Sequence, residues 1–199
     1  MKVIGIYGNY GGSKPSELPG VYMMSDSSLL KDGKPFFVPD FAERFVAYPT
    51  VVVQICRLGK NIAKKFAHRY YDKLTVGLAV EAEGLKEPFA GGDCGAGALC
   101  RVFDGAAIMG DFVDVAELAG GAGDAAFEVN VEGGGNFTGS TALLQRDIDE
   151  IIEYISRYMT LKIGDYVFVC RPSEGLPLAI GMNVVATLDR REVVRFKVK

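Results

Sequence analysis

A chain of 199 residues and 21.4 kDa, 49% apolar and 24% charged, is long enough to bury one core and too short for two comfortable ones. That composition excludes a disordered tail. A net charge of −3 without any basic stripe argues against a nucleic-acid partner, because neutralising phosphates takes clustered lysine and arginine.

The opening Met-Lys-Val-Ile-Gly-Ile-Tyr-Gly-Asn-Tyr is too short an apolar stretch for a signal-peptide core. No apolar run reaches the roughly 20 residues that cross a bilayer, so a cytoplasmic protein with no membrane partner is expected. One domain over residues 1–199 is the corresponding organisation.

Residues 2–7 alternate as a strand, and Val21–Met24 is a second short one. Asp32–Gly33 lies between Leu29–Leu30 and Phe36–Val38 and predicts a hairpin. Thr50–Cys56 is a nearly continuous β-branched run, which suits a strand buried on both faces. A first helix is predicted over Ile62–Tyr71, with Asn61 as N-cap and Ile62, Phe66 and Tyr70 forming its inward stripe. Val76–Val80 reads as a further strand.

Gly91–Gly97 and Gly120–Gly139 carry little side-chain surface and are predicted as loops. The glycines at 133–135 fit a hairpin tip better than a phosphate loop, since no Gly-Lys-Ser/Thr follows and no helix opens after them. The clearest element is a second helix, Ile148–Met159. Asp147 and Glu150 are spaced as a capping box, and Ile148, Ile151, Ile152, Ile155 and Met159 line one face. Leu161–Val169 returns as turn and strand. Val184–Leu188 and Val193–Val198 then form a C-terminal hairpin around a charged turn at Asp189–Glu192.

The four cysteines show no C-x-x-C spacing; buried thiols are the plain reading, with a Cys94–Cys100 redox pair as the alternative. The lone histidine, His68, leaves no Ser-His-Asp or His-rich zinc arrangement to be built away from it.

Five strings fall in order along the chain: Ser27-Ser28-Leu29-Leu30, Leu58-Gly59-Lys60-Asn61, Phe103-Asp104-Gly105, Ile148-Asp149-Glu150-Ile151-Ile152 and Thr160-Leu161-Lys162-Ile163-Gly164-Asp165. In that order and spacing the chain resembles the fumarylacetoacetate hydrolase family, including its short bacterial hydratase, decarboxylase and isomerase members. The resemblance implies a mostly β chain with a few helices (α+β), a mixed β-sandwich roll, assembled as a homodimer. It also implies chemistry on 2-oxo or β-diketo carboxylic acids. There a magnesium ion, held by a Glu-x-Glu pair and an Asp, stabilises the enolate that develops.

Against that pattern, Tyr48 and Thr50 stand where the glutamates belong, and Ala79 stands in place of the aspartate. None of the three supplies an anionic oxygen. The family's Arg-Asn-Tyr is Gly8-Asn9-Tyr10, its lysine before Phe-Asp is Arg101, and its Thr-Gly-Thr-Pro is Val169-Cys170-Arg171-Pro172. The resemblance therefore implies a pocket lined by Asn9, Tyr10, Arg101, Asp104, Thr141 and Arg171, with no catalytic residue and no metal. Such a pocket would take a small organic anion directly on its arginines. Two other arrangements remain open. In one, Glu81 and Glu83 close the site by neutralising Arg101 and Arg171. In the other, Glu81 and Glu83, at i and i+2 on a strand, hold a relocated Mg2+ for an active hydrolase or isomerase.

Overall fold

The computed structural model describes residues 1–11, 18–85 and 98–199. The Gly91–Gly97 loop and Cys94 lie outside the described residues.

Nine strands form one sheet. In chain order they are β1 (Val3–Tyr7), β2 (Gly20–Met24), β3 (Leu29–Leu30), β4 (Phe45–Ile55), β5 (Tyr71–Ala82), β6 (Ala107–Met109) and β7 (Val113–Asp114), then β10 (Tyr166–Phe168) and β11 (Leu176–Leu178). Between these come β8 (Ala126–Val131) and β9 (Gly135–Ser140), and after them β12 (Asn183–Leu188) and β13 (Arg191–Lys197), which make a second, four-stranded sheet. The large sheet runs β2-β1-β10-β4-β5-β6-β3, with β11 added to β4 and β7 to β5; the small one runs β13-β12-β8-β9. Mixed strand directions arise where β1 joins β10 and β3 joins β6 in parallel. This is the mostly β mixed sandwich that the resemblance implies.

Alternation divides the large sheet's side chains. Phe45, Ala47, Val51, Val53 and Ile55 of β4 enter the main core, together with Leu74, Val76, Leu78, Val80 and Ala82 of β5. Phe127, Val129 and Val131 of β8 and Val184, Ala186 and Leu188 of β12 join that core from the small sheet. On the opposite face of the large sheet, Val46, Tyr48, Val52, Ala79, Ala107 and Phe168 form a second, smaller cluster. Burial on both sides explains the β-branched run in β4. Pro49, which has no N–H, sits between the stretch of β4 paired to β11 (Phe45–Ala47) and the stretch paired to β10 (Val52–Gln54).

The C-terminal helix α2 (Ile148–Tyr158) follows its sequence pattern. Asp147 and Glu150 form the reciprocal capping box, and Ile148, Ile151, Ile152 and Ile155 are buried. Other expectations change. The first helix is one turn only, α1 (Lys64–Ala67), with Ala63 at its N-cap. Asn61 instead takes a left-handed φ of 51°, Phe66 is exposed, and Tyr71 already opens β5. Ser156 Oγ on α2 accepts from Ile62 N at 2.9 Å, so the entry to α1 is fixed by tertiary contact rather than by a local cap.

Asp32 and Gly33 form a tight turn with φ of 61° and 65°, but no hairpin follows. Leu29–Leu30 pairs in parallel with β6, and Phe36 bridges to Val198. In place of the loop expected over Gly120–Gly139, the chain forms the β8–β9 hairpin, with Gly133 at φ 76° in its tip and Gly135 at φ 103° opening β9. The C-terminal hairpin forms as expected, with Asp189 and Arg190 at positive φ in its turn. Among the described residues no helix is long and apolar enough to cross a membrane.

Candidate functional site

β4 and β5 pair antiparallel so that Tyr48 lies opposite Ala79 and Thr50 opposite Gly77. With side chains alternating along each strand, Tyr48, Thr50, Ala79 and Glu81 share the face that carries the smaller cluster. The three positions that the resemblance assigns to metal ligands, Tyr48, Thr50 and Ala79, thus lie on one face.

Glu81 is fully buried near the end of β5. Its Oε1 accepts from Arg101 Nε at 2.8 Å and from Arg171 Nε at 2.9 Å, and its Oε2 accepts from Arg171 Nη2 at 3.0 Å. Arg171 therefore grips Glu81 with two parallel hydrogen bonds, the strongest geometry available to a guanidinium. Its flat face lies 3.6 Å from the centre of the Tyr48 ring. Arg101 lies 5.1 Å from the centre of the Tyr22 ring.

Tyr48 Oη donates to Glu83 Oε1 at 3.0 Å, and Glu83 Oε2 meets Arg44 Nε at 3.2 Å. Burial, opposed by the Arg171 charge and reinforced by Glu81 and Glu83, pushes the Tyr48 phenol up to about 12. The phenol stays protonated. Burial alone would lower the Arg101 guanidinium, but its hydrogen bond to Glu81 and the charge beside it raise it instead.

Thr50 is spent on structure. Its Oγ1 accepts from Cys170 N at 3.2 Å and donates to Val51 O at 3.1 Å, on the side of β4 away from β5, between the stretches paired to β11 and to β10. Ala79 offers no donor atom. Tyr48 and Thr50 are neutral and engaged, and two guanidiniums stand beside the carboxylate of Glu81. This donor set does not fit a magnesium or manganese ion, which requires several anionic or carbonyl oxygens. Glu83 is engaged by Tyr48 and Arg44.

The remaining expected pocket residues lie in different places. Asn9 is fully buried as a cross-brace: Nδ2 donates to Arg146 O at 3.1 Å and to Val169 O at 2.9 Å, while Oδ1 accepts from Arg146 N at 2.9 Å. Tyr10 packs on Phe127 and Phe137, and its hydroxyl accepts from Ser140 N at 3.2 Å. Thr141 Oγ1 accepts from Ala125 N at 2.8 Å. Asp104 is exposed and lines a separate cleft with Ser27, Leu29 and Pro35. His68 is exposed on the turn after α1. The residues brought together are Arg101 and Arg171, with Glu81 between them and tyrosines 22 and 48 above them.

Tyr22 and the stacking of Tyr48 on Arg171 were not read from the sequence, and of the Glu81 and Glu83 pairing with Arg101 and Arg171 that it left open only the Glu81 half forms. A signal for Tyr22 does exist: strand glycines lie opposite tyrosines in the β1–β2 pair, Gly5 against Tyr22 and Gly20 against Tyr7.

The model of the fumarylacetoacetate (FAA) hydrolase C-terminal family matches residues 7–198. The chain belongs to that family. An uncharacterised protein of Pyrococcus horikoshii is 27% identical over 200 aligned residues, covering 94% of this chain and 84% of that protein. An oxaloacetate tautomerase of Escherichia coli is 30% identical over 89 residues, 45% of this chain and 41% of the tautomerase. Among solved structures, fumarylpyruvate hydrolase from Pseudomonas aeruginosa in complex with Mn2+ and pyruvate superposes with a TM-score of 0.84, at 20% identity, over all of this chain and 90% of that one. The fold is shared. Family relatives include tautomerases, isomerases and hydrolases.

Proposed function

We propose that this member of the fumarylacetoacetate hydrolase family has lost the metal-dependent carbon–carbon chemistry and binds a small organic anion at the Glu81–Arg101–Arg171 cluster. One observation carries the reading. Arg171 is fixed on three sides, by both oxygens of Glu81 and by the Tyr48 ring, while its Nη1 has no hydrogen-bond partner among the described residues. A guanidinium held rigid with a donor edge to spare is a preorganised anion anchor that needs no cation. Its side chain keeps 19% of its surface accessible, against 1% for Glu81, so the carboxylate is sealed and the cation faces outward.

The competing reading is an active hydrolase or isomerase using a relocated metal on Glu81 and Glu83. It requires Glu81 to exchange two arginines for a dication and Glu83 to leave Tyr48 and Arg44. The arrangement described above supports the anion reading instead. A homodimer belongs to the same proposal. β2 forms an edge of the large sheet, and Tyr7, Leu18, Met23 and Tyr158 are exposed apolar side chains that a second copy would cover.

A thermal-shift screen of dicarboxylates and 2-oxo acids tests the site. Stabilisation of the native chain that is lost in Arg171→Ala and reduced in Arg101→Ala is the expected result. A panel without a single stabilising anion would overturn it.

A further inference from the structure

Tyr22 stands at this site without joining its hydrogen bonds. Its phenol oxygen is buried and has no hydrogen-bond partner among the described residues. Buried hydroxyls are nearly always paired, so this one beside a charged cluster is a candidate donor to a ligand.

Its position is built by glycine. Tyr22 pairs across β2 and β1 with Gly5, and its ring lies flat over that residue: an ideal Cβ on Gly5 would fall 2.0 Å from Tyr22 Cζ. Any larger residue at position 5 would lift the ring off the sheet. Lying flat, the phenol reaches across β1 toward β10, whose Phe168 pairs with Gly5 and whose chain runs on through Cys170 to Arg171. Burial raises the Tyr22 phenol above its ordinary range, and the Glu81 charge raises it further, against Arg101 and Arg171. The hydroxyl is therefore a proton-bearing donor among those side chains.

We propose that Tyr22 is a ligand-binding residue whose O–H donates to one oxygen of a small carboxylate, the other oxygen being held by Arg171 Nη1. This rests on the anion-binding reading and adds a residue and a ligand class to it. Two donor groups match the two oxygens of a carboxylate. Glu81 already occupies the other side of the same guanidinium, so the second negative charge of a phosphate dianion would meet a carboxylate close by.

Isothermal titration of the full chain with propionate, succinate and inorganic phosphate tests this, using the native protein and Tyr22→Phe, with melting curves of both recorded without ligand. The expected result is carboxylate binding that weakens about tenfold in Tyr22→Phe, while the ligand-free melting temperature holds or rises. Native affinity retained in Tyr22→Phe overturns the role of Tyr22 and leaves the anion site standing. No carboxylate binding to the native protein overturns both. A lower ligand-free melting temperature in Tyr22→Phe means that the phenol is paired within the fold, and phosphate binding tighter than propionate overturns the carboxylate class.

Discussion

The guanidinium of Arg171 stacks 3.6 Å from the centre of the Tyr48 ring. Both residues stand at positions where the family resemblance expects something else, a threonine and a metal-binding glutamate. The replacements fit one another. Removing an anion from β4 makes room for a ring, the ring supports a cation, and the cation takes the carboxylate that β5 still supplies at Glu81. Within this arrangement a metal would be an intruder.

Glu81→Gln removes the anion that both arginines share. A buried ion pair broken on one side typically costs about 3–5 kcal/mol, and here the arginines keep some solvent, so a loss near the bottom of that range, about 3 kcal/mol, is expected. Urea unfolding measures it. An unchanged midpoint would mean that the arginines find water or another acceptor at no cost.

Titration with Mg2+ or Mn2+ should give no heat of binding, and turnover of acylpyruvates or oxaloacetate should stay at background with either metal present. Tyr48, Thr50 and Ala79 remove the electrostatic attraction for a hard cation, and Arg101 and Arg171 add repulsion. A micromolar isotherm that vanishes in Glu83→Gln would restore the relocated-metal reading.

Helix α2 offers a test of how local sequence becomes stability. Asp147→Ala removes a cap that accepts from Glu150 N at 2.8 Å and should cost about 1 kcal/mol. Ile151→Ala, at a fully buried position, should cost about 2–5 kcal/mol. Thermal or urea unfolding of the two variants checks both values. Equal losses would contradict a helix held mainly by its buried face.

What could be read in advance follows from what each feature depends on. The α2 pattern needs only residues within four positions of one another, and β4 from Thr50 to Ile55 needs only a β-branched run, so both were legible; the first half of β4, from Phe45 to Pro49, was not. The first helix was not. Its stripe of Ile62, Phe66 and Tyr70 has the right spacing, but Asn61 is left-handed, Ala63 is extended, and Ser156 on a distant helix holds Ile62 N. Alternation at Phe127, Val129 and Val131 marks β8 between the glycines, a signal masked by composition. At the site, the replaced residues were visible one by one. The pairing of Arg101 and Arg171 with Glu81 and Glu83 was one of the arrangements left open; the sequence could not choose it, nor show that only Glu81 takes part, because the contacts join residues 20 and 90 positions apart.

For the homodimer, light scattering coupled to size exclusion should return twice the 21.4 kDa of the chain. Among the described residues β2 is an edge strand, with Met23 exposed on it and Tyr7 exposed on its neighbour, and such edges are usually covered. A charge placed there, as in Met23→Lys, should shift the species toward one chain while leaving its circular dichroism unchanged. A monomer at all micromolar concentrations would remove the dimer from the proposal.

Alkaline titration tests the burial of the tyrosines. Tyr48 is pushed up to about 12 from an ordinary value near 10, and burial also raises Tyr10, Tyr22, Tyr71 and Tyr154. Each of these groups holds its proton more tightly folded than unfolded. Between the two values the unfolded chain carries fewer protons, so stability falls as pH rises. The contribution from Tyr48 is complete below about pH 10 and is lost progressively as pH climbs toward 12. Phenolate absorbance from these groups should therefore appear in a late stage that coincides with loss of the β circular-dichroism signal. In Tyr48→Phe the late stage should lose amplitude and unfolding should begin at a higher pH. A single smooth titration centred near 10 for all nine tyrosines would show that these phenols are open to water, and with them the face that carries Arg171.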